Sequence, residues 1–357
     1  MLQRPLTFLA VAILAGTLTG CAGTSSTGNK AVGVAMPTTA SERWIKDGDS
    51  VKLQLETLGY KVDLEYAEDD AAAQAQQIDT MLNDHVELLI IGAVDGGALN
   101  PQLERAKADG VHVIAYDRLL SGTDAVDGYA SFDNKRVGEL QATSLLTHLG
   151  AMDATGAPIK GAGPFNIELF AGSPDDNNAH VFFDAAMGIL KPYLDAGTLV
   201  VPSGQSSFDQ VATEAWKPET AGARMSSLLS SAGSTTINGV LAPNDDIAQA
   251  ILSQFKTAGK QLPAVTGQDA SLAAVKSVAA HEQTSTIYKD TRQLAEASVL
   301  MGLGLLKGNS PEVNDLNSYN NGVIDVPSLL LAPQLVTADN YTQVLVDSGY
   351  YTKEEIQ

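Results

Sequence analysis

The chain has one cysteine, Cys21, in 357 residues. No intramolecular disulfide can form, so folding must rest on apolar burial. The five histidines (His85, His112, His148, His180 and His281) are scattered without metal-ligand spacing, and no metal is expected. Basic residues are few, 22 Lys and Arg against 42 Asp and Glu, for a net charge of −20. That balance argues against nucleic acid and against electrostatic adhesion to anionic lipid. Also missing are a Gly-x-Ser-x-Gly elbow, a Gly-x-x-x-x-Gly-Lys-Ser/Thr phosphate loop and a His-Glu-x-x-His pair. The paired acids Asp69-Asp70 and Asp175-Asp176 are adjacent in extended segments. Their side chains diverge, whereas a glycosidase needs two carboxyls converging on one bond. A binding protein is therefore expected rather than an enzyme. Tryptophan occurs only at Trp44 and Trp216.

What is present begins at the N-terminus. Arg4 is followed by an uncharged apolar run, Leu6 to Leu18, and then Leu18-Thr19-Gly20-Cys21. This is the layout of a secretory signal peptide over residues 1–21, too short for a good membrane span. The cysteine at its end resembles a bacterial lipobox, which implies acylation of Cys21. The chain is then expected to be exported and held at the cell membrane by lipid, facing outside or the periplasm. Losing Arg4 takes the net charge to −21. Residues 22–30, rich in Gly, Ser and Thr, read as a flexible tether. The rest exceeds what one core usually serves, roughly 250–300 residues, so two domains are expected.

From Ala31 onward, short apolar runs alternate with helical patterns. Ala31 to Met36, Lys61 to Tyr66, Glu87 to Ile91, Val111 to Tyr116 and Asp127 to Phe132 read as strands. So do Phe165 to Phe170, Leu199 to Gly204, Gly239 to Ala242, Ala264 to Gly267 and Thr284 to Tyr288. Helical patterns lie between most of them. This rhythm specifies an α/β fold with parallel sheets covered on both faces, and so many strands favour two open sheets over one. Ligands of such sheets bind beyond the carboxyl ends of the strands. Polar segments do cluster there: 41–44, Asp95, 117–118, 175–178, 244–246, 268–269 and Lys289.

Those segments resemble a known family. Ser-Glu-Arg-Trp (41–44), Ala-Tyr-Asp-Arg (115–118), Ser-Phe-Asp-Asn (131–134) and Gly-Ser-Pro-Asp-Asp-Asn-Asn-Ala (172–179) are similar to periplasmic sugar-binding proteins of the xylose/ribose/galactose type. Thr-Gly-Gln-Asp-Ala (266–270), Ile-Tyr-Lys-Asp (287–290) and Asn-Gly-Val-Ile-Asp-Val-Pro-Ser (321–328) continue the match in order. The resemblance implies the type I periplasmic binding fold, two doubly wound parallel-sheet lobes joined by a three-segment hinge. It places lobe one at 31–118 with 270–322 and lobe two at 119–269 with 323–357. It further implies a monomer without cofactor that captures a monosaccharide of the xylose, glucose, galactose or arabinose class. Delivery to the membrane subunits of an ABC importer follows, or presentation of the sugar to a membrane receptor as a sensor.

A sugar offers apolar C–H faces and a rim of hydroxyls. The resemblance puts Trp44 and Trp216 at the stacking positions, although tryptophans are more often core residues. Arg43 and Arg118 offer rigid donor forks. Asp117 and Asp269 accept from hydroxyls and orient those arginines. Asn177 and Asn244 both donate and accept, and Lys289 donates. Asp176 joins the expected set, and Asp176 and Asn244 are also candidate helix N-caps. Asp95, Glu168 and Asp175 match the pattern less well.

Overall fold

The computed structural model describes residues 30–357. The expected leader, the Leu18–Cys21 motif and tether residues 22–29 lie outside the described residues. The first part of the chain runs β1 (Ala31–Met36), α1 (Glu42–Thr57), β2 (Lys61–Tyr66), α2 (Ala71–Asn83), β3 (Leu88–Ile91), α3 (Asn100–Asp109), β4 (His112–Tyr116) and β5 (Gly128–Phe132). The chain then enters a second body with α4 (Asn134–His148), β6 (Phe165–Leu169), α5 (Asn177–Asp195), β7 (Leu199–Val200), α6 (Phe208–Val211) and α7 (Pro218–Ala232). That body continues with β8 (Gly239–Leu241), α8 (Asp245–Thr257), β9 (Ala264–Val265), α9 (Leu272–Ala279) and β10 (Thr286–Tyr288). The chain returns to the first body for α10 (Thr291–Leu306) and β11 (Ser328–Leu331), then ends in the second with β12 (Gln334–Val336) and α11 (Lys353–Ile356).

The first sheet has the order β11-β5-β4-β3-β1-β2, every pair parallel. Its inner strands are apolar on both faces because helices cover both, while the edge strand β2 carries Lys61, Asp63 and Glu65. In β1, Ala31 and Ala35 point to a core with Ile78 and Met81 of α2 and Leu103 of α3. Val32, Val34 and Met36 point the other way, to Val51 and Leu55 of α1 and Leu294 and Val299 of α10. The second sheet, β7-β6-β8-β9, is also parallel. It is covered by α4 and α5 on one face and α7 and α8 on the other. The antiparallel pair β10-β12 lies beyond β9, joined through Asp269 N–H donating to the Ile287 carbonyl at 2.8 Å. The expected two-lobed, doubly wound fold is present.

The lobe boundaries fall elsewhere than expected, although the third crossing lies within the expected stretch Asp325 to Pro333. The resemblance places residues 119–132 in lobe two, but β5 pairs with β4 and β11 in the first sheet, so the first crossing follows Phe132. The resemblance places residues 270–289 in lobe one. Instead α9 packs on α8 and α11 and β10 pairs with β12, so the second crossing lies at Lys289–Asp290. Residues 323–331 complete the first sheet through β11, and the third crossing is Ala332–Pro333. Lobe one is thus 31–132 with 291–331, and lobe two is 133–289 with 334–357.

Candidate functional site

A cavity of about 330 Å³ separates the two lobes at the carboxyl ends of both sheets, within the range of roughly 300–1,000 Å³ usual for small-molecule sites. Nine of the ten expected residues line it or buttress it. Lobe one supplies Arg43 and Trp44 from the first turn of α1, and Asp117 and Arg118 from the loop after β4. Lobe two supplies Asp176 before α5, Trp216, Asn244 before α8, Asp269, and Lys289 at the crossing.

The charged groups are arranged around Arg43, which is 7% exposed. Its Nη1 and Nη2 grip the two oxygens of Asp117 at 2.9 and 2.7 Å, a bidentate fork. Nε pairs with Asp47 Oδ2 at 2.9 Å, and Nη1 lies 3.8 Å from Asp269 Oδ1. Lys289 Nζ, also buried, contacts the same Asp269 oxygen at 2.8 Å. Burial opposes ionisation of Asp117, but Arg43, Lys289 and Arg118 outweigh it and hold the carboxyl at about 2. Asp47 receives less compensation. Burial pushes it up to about 7, against Arg43 and the hydroxyl of Tyr116 that donates to it.

Arg118 joins the lobes. Its Nη1 donates to the Ala93 carbonyl at 2.9 Å, and its Nε pairs with Asp176 Oδ2 of lobe two at 3.1 Å. The same oxygen accepts from Trp216 Nε1 at 3.2 Å. Burial raises the Asp176 carboxyl despite Arg118. Both guanidiniums lie over the Trp44 ring, at 4.7 Å for Arg43 and 5.2 Å for Arg118. Trp44 is therefore a core residue with one edge of the cavity as its face: it is 5% exposed and packs within the lobe-one cluster. Trp216 is only half-buried. Gly172 seats its indole, since a Cβ there would fall 2.1 Å from the ring.

Backbone strain concentrates here. Asp117 (φ 59°), Trp216 (φ 55°) and Asp269 (φ 93°) occupy the left-handed region that favours glycine. Surrounding bonds hold them there. The Asp117 carbonyl accepts from Ser131 Oγ at 3.0 Å and from Asn178 Nδ2 at 2.7 Å. Asp176 and Asn244 serve as N-caps as well as lining the cavity, accepting from Asn178 N–H at 2.9 Å and Ile247 N–H at 3.0 Å.

One expected residue is misplaced. Asn177 is the first residue of α5 and faces a groove behind the hinge, with Leu119, Lys135 and Tyr319. Its neighbour Asn178, buried against Asn134, Tyr129 and the Asp117 carbonyl, lines the cavity instead. Glu168 points away as well, accepting from Ser203 Oγ at 2.6 Å, and Asp95 accepts from Gly97 N–H at 2.8 Å to close its own turn. The sequence reading missed Thr38, Asp69, Phe182, Asp246 and Gln268 as lining residues. Asp246 and Gln268 stood in the flagged post-strand segments. Phe182 lies in the helical pattern and carried no signal. Among the described residues no group of three or more His, Cys, Asp or Glu is placed to hold a metal ion.

The periplasmic binding protein domain matches residues 32–310. The multiple sugar-binding periplasmic receptor ChvE of Rhizobium radiobacter is 49% identical over 91% of this chain and 92% of its own. The D-xylose-binding periplasmic protein of Escherichia coli K12 is 35% identical over 91% and 92%. The structure of an ABC transporter solute-binding protein from Clostridium phytofermentans with bound β-D-glucose superposes with a TM-score of 0.87. It is 43% identical and covers 92% of this chain and 100% of that one. With matches of this extent and a two-lobed fold to carry them, the chain belongs to the periplasmic binding protein family.

Proposed function

We propose that the chain is an exported binding protein that captures a monosaccharide between its lobes and delivers it to the membrane subunits of an ABC importer. The observation that carries this reading is the convergence on one cavity of an indole from each lobe with a rim of mutually paired charges. Trp216 offers an apolar plane for a C–H face of the sugar ring, and Trp44, packed under the two guanidiniums, offers the part of its indole that borders the cavity. Arg43, Arg118, Lys289 and the Asn178 amide donate to hydroxyls, while Asp117, Asp176, Asp269 and Asn244 accept. Within each lobe the pairs Arg43–Asp117 and Lys289–Asp269 hold these groups in place, which lowers the ordering cost of binding. The named ligands of the relatives, xylose, glucose and multiple sugars, support the same class. The reading is of binding without turnover, because the cleft carboxylates are held by cations and helix N-termini rather than poised in an acid–base pair. One relative is named a receptor, which supports a second outlet for the closed form, presentation to a membrane sensor.

The test is thermal shift against a panel of monosaccharides. A true ligand at a hundred times its dissociation constant should add about 2.7 kcal/mol to stability. No shift with xylose, glucose, galactose or arabinose would refute the reading. Anchoring through lipid on Cys21 is part of the proposal and rests on Leu18-Thr19-Gly20-Cys21. Cys21→Ser should move the exported chain from the membrane to the soluble fraction with sugar affinity unchanged. A variant that stays with the membrane would count against the lipobox.

A further inference from the structure

The start of α1 presents four consecutive side chains to the lobe boundary. Arg43 and Trp44 line the cavity, but Glu42 does not. It reaches lobe two beside the cavity. Its Oε2 accepts from the backbone N–H of Leu272, the first residue of α9, at 3.1 Å. Its Oε1 lies 3.0 Å from the hydroxyl of Tyr351, near the C-terminus. Lys46, one turn along α1, pairs with Glu42 at 2.7 Å and donates to the same hydroxyl at 2.7 Å. Its ammonium sits 4.0 Å from the centroid of the Tyr351 ring and 4.6 Å from that of Tyr350. The Tyr351 hydroxyl thus accepts from Lys46 and has one proton to share between Glu42 and the Ala270 carbonyl, 2.9 Å away.

The first N–H groups of a helix have no partner within it. In α9, Ser271 accepts from Ala274 N–H at 3.4 Å, while Leu272 N–H is satisfied by a carboxylate from the other lobe. Negative charge is favoured at that helix end. A second contact crosses the boundary next door, where Ser41 Oγ donates to Asp246 Oδ2 in the first turn of α8 at 3.0 Å. Burial opposes the Glu42 charge, but Lys46 and the Leu272 N–H outweigh it and lower the carboxyl.

We propose that Glu42, held by Lys46 and Tyr351, is an interlobe latch that sets ligand residence time without touching the ligand. It completes the N-terminus of α9 only when the lobes are closed. Because Arg43 and Trp44 follow it in the same helical turn, seating the ligand and engaging the latch are one movement. The inference rests on the reading that the cleft closes on a sugar.

Glu42→Gln removes the charge and keeps the shape. Both tryptophans border the cavity, so their fluorescence reports binding in a stopped-flow experiment with D-glucose and D-xylose. Glu42 is partly exposed, so the expected effect is modest: koff rises about three- to tenfold, with kon within about twofold. The melting temperature of the ligand-free protein should not change. Lys46→Met should move koff in the same direction. Wild-type koff in Glu42→Gln, in a parent that binds sugar, would overturn the latch alone. The same holds if the variant merely melts lower while koff stays put. A parent that answers to neither sugar would overturn the sugar reading and the latch with it.

Discussion

Trp44 and Trp216 border one cavity but have different support. Trp44 is packed into the lobe-one core beside Met36 and under two guanidiniums. Trp216 is half-buried, on a strained turn, with its indole laid over Gly172 and tied to Asp176. The two Trp→Ala changes should therefore separate. Trp44→Ala should destabilise the ligand-free protein by about 3–5 kcal/mol as a core truncation, and weaken sugar binding as well. Trp216→Ala should abolish detectable sugar binding with a much smaller loss of melting temperature. Calorimetric titration and ligand-free melts of both variants check this. Equal melting losses, or wild-type affinity in Trp216→Ala, would contradict it. The residue types of the site were legible because ligands of α/β sheets collect after strands, and polar segments stood there. The choice between Asn177 and Asn178 was not. It depends on the phase of α5, which is set by Asp176 as N-cap, and neighbouring residues on a helix point about 100° apart.

At the scale of elements, runs such as Ala31–Met36 and Leu88–Ile91 showed as strands because both of their faces are buried. Asp70, Asp133, Asp176, Asn244, Ser271 and Asp290 each accept from the first turn of the helix that follows, and of these only Asp176 and Asn244 were legible as caps. The hinge was not legible, because pairing partners lie far apart in sequence. Strand β5 sits between β4 and β11, and β11 is about two hundred residues away. Local pattern identifies β5 as a strand but does not say which sheet it joins. Short β12 and the C-terminal turns around Tyr341–Tyr351 were overlooked for a related reason. Their apolar residues, Val336, Leu345 and Tyr351, acquire a core only against α9 and β10. That packing places Tyr351 beside α1, so the C-terminal segment contributes to the lobe boundary although its sequence suggests only a tail.

For the molecule as a whole, the fold buries carboxylates at and behind the cleft, and most are pushed up. Burial raises Asp47, Asp176, Asp245 and Asp246, Asp47 to about 7 from an ordinary 3.8. Asp117 moves the other way, to about 2. The signs give opposite pH windows. Asp117 adds stability as pH rises from about 2 to about 4 and nothing further above that. Asp47 binds a proton in the folded state up to about 7, but in the unfolded chain only below about 4. Between those values the folded form holds more protons, so stability falls as pH rises. The melting temperature of the ligand-free protein should therefore decline from about pH 4.5 to about pH 7, where the usual protein gains or levels. Asp47→Asn removes one titrating group while keeping an acceptor for the Tyr116 hydroxyl, and should flatten that decline. Melting curves at half-unit pH steps decide the matter. Parallel slopes in parent and variant would show that Asp47 is already ionised at acidic pH, with Arg43 strong enough to hold three carboxylates at once.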